Sequence, residues 1–297
     1  MPRHQMGQQI INGLFLGSIY ALFALGYTLV FGVLDILNLA HAAVFMLASF
    51  VALTLVAGAH FPLLLALPVA VIFAGVLGLV LERIAFRPLR GRADSNISGL
   101  ISSLAMATVF QAVALQIWGP NVSRFPLGTV PDRPIAFLGG VISSLQILII
   151  AVALVLFVAL TFLVKRTRLG RQMRAVAESP RAARILGVNV DRVIAASFFI
   201  SSALGGAAGV LFGLAFNVIQ PDMGRSVELK GLAVIILGGM GSMVGAVVAG
   251  FALGLCEVLV VAHLGGSWRD AISFAALFLI LTLRPGGLLG AASLREA

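Results

Sequence analysis

Long apolar runs separated by short polar stretches dominate the chain. Each run approaches the roughly 20 residues that an α-helix needs to cross a bilayer. Backbone groups in lipid must be satisfied within the run, which favours helices, and the alternating strands of a membrane barrel are not seen. The pattern predicts eight spans, at about Gln8–Leu34, Ala42–Ala59, Pro62–Leu81, Asn96–Ile117, Ser143–Val164, Val193–Ala215, Met243–Ala262 and Trp268–Leu283. We therefore predict an all-α membrane protein, a polytopic bundle of about eight transmembrane helices forming one domain over residues 1–297.

Basic residues concentrate in two stretches that directly follow apolar runs. Residues 82–94 hold four basic and two acidic residues, and residues 165–192 hold eight and two, so together they account for eight of the nine net positive charges. Cytoplasmic loops of membrane proteins carry such an excess. Both stretches are therefore predicted to be cytoplasmic, with two spans between them and the proline-rich loop 119–140 outside.

Counting spans outward from the basic stretches produces a conflict at both termini. Three full spans on each side would place the N-terminus and the C-terminus outside, although Arg3 and Arg284 favour the cytoplasm. The conflict disappears if one segment on each side fails to cross. The interrupted stretches Asp35–His41 and Gly238–Gly245 are the candidates, and the bundle is expected to contain such broken or re-entrant segments.

Small residues recur at a spacing of four, which brings helix backbones close together in lipid. We expect these faces to pack on other helices. The positions are Gly13/Gly17, Gly205/Gly209/Gly213, Gly241/Gly245 and Gly250/Gly254.

Composition agrees with a lipid environment. Apolar residues make up 60% of the chain, charged residues 10%, and the mean hydropathy is +1.10. These values exclude a soluble globular domain and a disordered chain. The basic residues are not spread over a face with interleaved aromatic residues, so membrane lipid is a predicted partner and nucleic acid is not. The single cysteine, Cys256, is read as a small buried apolar residue.

Sequence patterns of common catalytic sites are missing from the chain. A phosphate-binding loop needs G-x-x-x-x-G-K-[ST], and neither Lys165 nor Lys230 stands in that context. No histidine precedes glutamate as in H-E-x-x-H, and no G-x-S-x-G is present. We therefore predict a protein that is not an enzyme, with no catalytic residue, no metal site and no cofactor of its own.

The basic stretch 165–192 contains the signals of a short helix. Ser179 is a suitable N-cap, Pro180 suits the first helical position and Gly187 suits the position after the end. The helix between them, Arg181–Leu186, has an apolar side formed by Ala182, Ala183, Ile185 and Leu186, and Asp191 is expected to cap the next span. So short a helix needs a surface to cover it. That surface is either the bilayer or a groove on a soluble partner.

Four segments resemble the branched-chain amino-acid permeases of ABC importers. They are Glu178–Val193, with an acidic residue, two alanines and a glycine in the pattern of the coupling loop, Asn12–His41, Gly238–Ser242 and Leu283–Gly290. The segments follow the same order as in that family and span nearly the whole chain. Ala42 is a departure, because members of the family usually have glycine after the histidine.

The resemblance implies the rest of a transport complex. Such a permease pairs with a second homologous permease, two cytoplasmic ABC ATPases that bind ATP and Mg²⁺, and a periplasmic binding protein, in the inner membrane. Within the cytoplasmic coupling loop at residues 165–192, the residues that would contact an ATPase are Glu178, Ser179, Pro180, Arg181, Ala182, Ala183, Arg184, Ile185, Leu186 and Gly187. Similar permeases for urea or short amides are an alternative, and a transporter driven by an ion gradient is a more distant one.

Polar residues at membrane depth are candidates for the transport pathway, because burying them in lipid is costly. Asn38 and His41 flank the restart of the second span, where they have either a lining or a structural role. Gln111 could bond across helices. Glu257 is the acidic residue deepest in an apolar run, and His263, Arg269 or a partner permease could face it.

Overall fold

The computed structural model describes residues 3–90, 95–126, 128–130, 132–137, 140–284 and 286–289. Residues 91–94 of the first basic stretch, and Pro285 and Gly290 of the closing segment, lie outside them. The described residues form the helices α1 (Arg3–Leu34), α2 (His41–Leu53), α3 (Leu63–Leu81), α4 (Ser95–Trp118), α5 (Ser144–Arg166), α6 (Arg168–Glu178), α7 (Pro180–Ile185), α8 (Val190–Phe216), α9 (Met223–Gly238), α10 (Met243–Leu264) and α11 (Arg269–Leu283), and the antiparallel strands β1 (Pro134–Phe137) and β2 (Gly140–Ser143).

Eight helical segments of the described chain are long and apolar enough to cross a membrane. They coincide with the eight predicted spans, which confirms an all-α polytopic membrane bundle. A π-helical turn at Thr54–Gly58 extends α2, and a second one at Glu82–Phe86, followed by a 3-10 turn, extends α3. The hairpin of β1 and β2, in the loop before α5, was not predicted.

The spans divide into an inner and an outer set. The most apolar 18-residue window is 83% buried in α1 and 72% buried in α8, but only 17% buried in α4 and 6% buried in the segment of α11. Among the inner helices, α8 packs on both α1 and α2, and one face of α10 packs on α1. The outer helices and the other face of α10 leave apolar surfaces for lipid or for other chains. Cys256 of α10 lies on such a surface and is exposed, so the prediction that it is buried was wrong.

Glycines allow the inner helices to cross at very short distances. A Cβ atom added to Gly254 in α10 would lie 2.6 Å from the Cα of Gly17 in α1, and one added to Gly250 would lie 2.7 Å from the Cα of Ala21. The predicted packing role of these glycine pairs is confirmed. Helices in lipid gain no hydrophobic stabilisation when they contact one another, so dispersion contacts between close backbones stabilise these crossings instead.

The two basic stretches lie on one side of the bundle, which we call the basic side. Arg90, beyond the end of α3, forms a 2.8 Å salt bridge with Asp191 at the start of α8. The start of α1 is on the opposite side, because Gln8 exchanges hydrogen bonds of 2.8 and 3.0 Å with the backbone of Val141 in the hairpin of β1 and β2, which lies one span from each basic stretch. All three spans before Arg83 therefore cross, and the segment Asp35–His41 is the connection at which the chain turns from α1 into α2. The explanation in which this segment fails to cross was therefore wrong.

A ninth crossing helix, α9, resolves the conflict at the C-terminus. It contains 16 residues and was not predicted as a span, because Arg225, Glu228 and Lys230 interrupt its apolar pattern. With α9 included, four helices follow α7 and the chain ends on the basic side. There the backbone N–H groups of Leu288 and Leu289 donate to the last carbonyls of α9, at 2.8 and 3.1 Å. The explanation in which Gly238–Gly245 fails to cross was therefore wrong.

Candidate functional site

Two regions carry the functional candidates, and the first is the pair of short helices on the basic side. The Thr167 hydroxyl accepts a hydrogen bond from Gly170 N–H and caps α6, which buries Met173 and Val176. The Ser179 hydroxyl accepts from Ala182 N–H at 3.2 Å and caps α7. These side chains satisfy donors that a helix leaves free at its first turn.

The predicted signals of α7 are confirmed. Pro180 occupies its first turn, and Gly187 adopts a φ of 82°, a left-handed conformation that ends the helix. The ten predicted coupling residues, Glu178 to Gly187, thus form one structural unit at the surface. A separate helix α6 before them was not predicted.

The surface of α7 differs from the single apolar side that the sequence predicted. Of its apolar residues only Ala183 is buried, with 1% exposed. Ile185 and Leu186 are 86% and 80% exposed, next to the exposed Arg184. Only a small side chain fits between α7 and the bundle, so the two large apolar residues point away from the chain.

The start of α8 also differs from the prediction. Asn189, not Asp191, is the N-cap, and its side chain accepts from Arg192 N–H at 3.1 Å. Asp191 lies in the first turn and pairs with Arg90, which also contacts Glu82. The Asp191 carboxylate pairs with Arg90, which lies 101 residues away in the sequence, so the residues around Asp191 did not indicate this contact.

A cleft of about 380 Å³ separates the short helices from the ends of two crossing helices. It is lined by the last turn of α1, by Val176–Glu178 and Pro180 of the short helices, and by Met240 and Gly241 of the turn after α9. Movement of α6 and α7 therefore has a direct route to α1 and to α9.

The second region lies inside the bundle, where α2 begins. His41 is fully buried, and its ring fits between α1 and α8, since a Cβ atom on Gly26 or Gly205 would lie 2.8 or 2.6 Å from its Cε1. The ring centroid is 4.8 Å from that of Phe23. Neither ring nitrogen has a well-aligned hydrogen-bond partner among the described residues. This environment is that of a packing residue.

Asn38 helps to hold the broken segment between α1 and α2. Its Oδ1 accepts from Ala40 N–H, and Leu39 N–H donates to the hydroxyl of Ser103 on α4, both at 3.1 Å. Asn38 is 2% exposed. The structure therefore places both Asn38 and His41 in the interior, and a pathway role for them stays a prediction.

Glu257 belongs to a buried ionic network. Lys230 Nζ and Tyr20 Oη donate to its carboxylate, each at 2.8 Å, and Arg269 Nε lies 3.0 Å from Oε1. Asp270 in turn lies 3.1 Å from Lys230 Nζ. Lys230 and Glu257 are buried, and the more exposed Arg269 and Asp270 balance their charges, as buried charges in proteins are usually paired.

The network joins four helices, α1, α9, α10 and α11. Of the partners expected for Glu257, Arg269 is present, whereas His263 contacts the carbonyl of Leu259 instead. Lys230 and Tyr20 were not foreseen, because α9 was not counted as a crossing helix. Whether Glu257 serves transport stays a prediction.

Gln111 lines a cleft of about 120 Å³ between α2, α4 and α9. Its lining combines polar and apolar side chains. The polar ones are Gln111, Thr108, Asp222, Arg225 and Glu228, and the apolar ones include Leu39, Ala42, Ala43, Met46, Leu104 and Ala107. The three charged residues were missed, since they belong to α9. A signal was available in their spacing, because Asp222, Arg225 and Glu228 recur every three residues.

Metal binding has no candidate in the described part of the chain, where no three His, Cys, Asp or Glu residues converge.

Comparison with known proteins agrees with this architecture. Residues 9–281 match the family described as branched-chain amino acid transport system / permease component. The chain is 36% identical over 294 residues to the high-affinity branched-chain amino acid transport system permease protein BraD of Pseudomonas aeruginosa, and 37% identical over 295 residues to LivH of Escherichia coli K12, with 95% of both chains covered in each case. A probable permease of the same kind from Methanocaldococcus jannaschii is 26% identical, over 96% of this chain and 93% of that one. The chain therefore belongs to the family of branched-chain amino acid transport permease components.

Proposed function

We propose that this chain is a membrane-spanning permease subunit of an ATP-driven ABC importer for branched-chain amino acids. The match of residues 9–281 to the permease family carries the proposal. High-affinity transport permeases that are similar over 95% of the chain support it. The inner membrane is the expected location, with the basic side towards the cytoplasm.

The energy for transport must come from other subunits. The sequence has no phosphate-binding loop, so two cytoplasmic ATPases would bind ATP and Mg²⁺. A second homologous permease and a periplasmic binding protein would complete the complex. No bond of the substrate is made or broken in this chain, whose task is to open a route first to one side and then to the other.

In this proposal α7 connects the ATPases to the bundle. Its exposed Ile185 and Leu186 would enter a groove on an ATPase, with Arg181 and Arg184 at the rim. The buried Ala183 fixes α7 to α6 and α8. The cleft at the end of α1 leaves room for the two short helices to move against the crossing helices.

Exchange of the exposed apolar residues tests this coupling. Ile185→Asp and Leu186→Asp should abolish copurification of the ATPases and ATP-dependent leucine uptake, because a charged residue cannot enter an apolar groove without a large desolvation cost. A control for this experiment must leave the spans unchanged, which excludes a substitution such as Leu64→Asp in α3. Gln172→Asp, which adds the same charge at an exposed position of α6, is the matched control and should retain both properties. ATPases that copurify equally well with all three variants would refute α7 as the coupling helix.

A further inference from the structure

The first turns of α9 expose charged side chains between the loop that follows α4 and the buried start of α2. Ile219, just before α9, pairs with Ser123 in the external loop, and Gly224 packs on the Ala42 carbonyl at the buried start of α2. Asp222 and Arg225 in this region are both exposed. Charged residues at membrane depth face water or protein and not lipid. This face of α9 must therefore border a wet passage or a neighbouring subunit.

The cleft lined by Gln111 opens onto this face, and one of its buried polar atoms has no partner among the described residues. Oε1 of Glu228 is buried without a hydrogen bond among the described residues. Arg225, one turn earlier on the same helix, attracts the Glu228 carboxylate but forms no salt bridge in the described chain. Buried polar atoms of native proteins are generally satisfied, and exceptions are frequently functional. Oε1 of Glu228 is thus a buried acceptor that the hydrogen-bond donor of a ligand can satisfy.

A neighbouring cleft near Lys230 is larger, but its charged groups are less available to a ligand. Its volume is about 390 Å³, and its walls include Lys230 and Asp270. Both charges are already used, because Lys230 pairs with Glu257 and with Asp270. A ligand there would have to break these ion pairs, whereas Glu228 and Arg225 form no salt bridge in the part of the chain that the structure describes.

We propose that the cleft between α2, α4 and α9 is a transient binding site for an aliphatic α-amino acid on its way through the permease. The ammonium group of the ligand donates to Glu228, and its carboxylate accepts from Gln111 and Arg225. The apolar side chain lies along Ala42 and Met46. This inference rests on the proposed function and names the site of contact within it.

The chemistry of the cleft fits a zwitterion with an apolar side chain. Its lining holds the carboxylates of Asp222 and Glu228, the guanidinium of Arg225 and the amide of Gln111, while the residues from α2 are apolar. Charge-assisted hydrogen bonds are stronger than neutral ones, so Glu228 contributes most where water is scarce. A neutral ligand such as an amide could hydrogen-bond to the carboxylate and the guanidinium but would bring no opposite charge to either, so these bonds would be weaker. The site therefore favours amino acids over uncharged substrates.

Uptake by the assembled complex is the first test. We expect Glu228→Gln to lower the leucine uptake rate by about tenfold or more, since a hydrogen bond between charged groups is lost. Gln111→Leu should lower it by less, because a neutral donor is removed. Asp132→Asn makes the same acid-to-amide change at an exposed residue of the external loop and should leave uptake as in the wild type. Copurification of the other subunits with every variant shows that the complexes are assembled.

Photochemical labelling locates the contact directly. A leucine analogue with a diazirine in its side chain should label peptides covering residues 39–46, 104–111 or 222–229 of the complex. Excess leucine should suppress this labelling, and 4-methylpentanoate, which has the same carbon skeleton without the ammonium group, should not. Glu228→Gln should abolish the labelling.

The outcomes separate the inference from the proposed function. Wild-type leucine import combined with normal uptake by assembled Glu228→Gln, or labelling confined to other segments, would overturn the inference alone. Equal suppression by 4-methylpentanoate would overturn the role given to Glu228. A wild-type complex without ATP-dependent leucine import would reject the proposed function, and the inference with it.

Discussion

At the scale of single residues, the buried polar groups of this bundle differ in whether they have hydrogen-bond or ionic partners. Glu257 has a full set of partners in Lys230, Tyr20 and Arg269, whereas Oε1 of Glu228 has none among the described residues. A satisfied group stabilises the fold, and an unsatisfied group costs free energy unless a ligand supplies its partner. Glu257 therefore holds helices together, whereas Glu228, which also lines a cleft, is available to a substrate.

The ionic network gives a stability prediction. Glu257→Leu should lower the free energy of unfolding by about 3–5 kcal/mol, because Lys230 is left buried with one fewer carboxylate. The double variant Glu257→Leu with Lys230→Met removes the ion pair as a whole and should cost less than the sum of the two single changes. Thermal unfolding of the purified protein in detergent measures both. Strictly additive costs would show that the two residues do not interact.

The His41 pocket gives a second prediction at this scale. Gly205→Ala adds a methyl group where a Cβ atom would lie 2.6 Å from the imidazole, so the change should destabilise the bundle by about 1–3 kcal/mol. Gly266→Ala is the control, since nothing lies within 4 Å of its Cβ position, and its stability should match that of the wild type. Equal melting temperatures for the two variants would contradict the close packing of His41.

At the scale of elements, caps and turns define the short helices, and packing defines the long ones. α7 has six residues, too few to be stable alone, and it depends on Ser179, Pro180 and Gly187 at its ends. The crossing helices have few side-chain caps, and glycine contacts fix their positions. A single substitution can therefore unfold α7 without affecting the spans.

The end of α7 is the most sensitive point. Gly187→Val should raise the free energy of the folded loop by about 1–2 kcal/mol, because a branched side chain is strained at a φ of 82°. Gly187→Asn should be tolerated, because asparagine adopts this conformation with little cost. Hydrogen exchange of the amides at 183–188 is expected to accelerate in the valine variant only. Unchanged protection in that variant would argue against a left-handed end.

At the scale of the whole molecule, the arrangement has nine crossing helices among the described residues, with Gln8 and Leu289 on different sides. The prediction is tested by single cysteines in a Cys256→Ser background, which removes the exposed native thiol. In sealed right-side-out vesicles, an impermeant maleimide should label Met6→Cys and Arg133→Cys. Arg184→Cys and Leu289→Cys should react only after the vesicles are opened. Labelling of position 289 from the same side as position 133 would refute the crossing of α9.

Much of the fold was accessible from sequence, because lipid forces long apolar runs to be helices and leaves few alternatives for their backbone. The eight spans and the signals of α7 depend on local chemistry alone, so they were predicted correctly. α9 was missed because a prediction from local chemistry requires an uninterrupted apolar run, and three charged positions break the run in α9. Their charges are tolerable only through Lys230–Glu257 pairing and an exposed face, and no local pattern reports either.

What the sequence by itself determined is the class of protein, the spans, the basic side and the short helix α7. The tertiary structure decided which polar residues are paired and which are free. His41 and Asn38, which the sequence offered as pathway residues, are packed inside, while Glu228 joins Gln111 at an open cleft. Pairing of buried groups joins residues that lie far apart in the chain, such as Tyr20 and Glu257, and only the packing of helices brings them together.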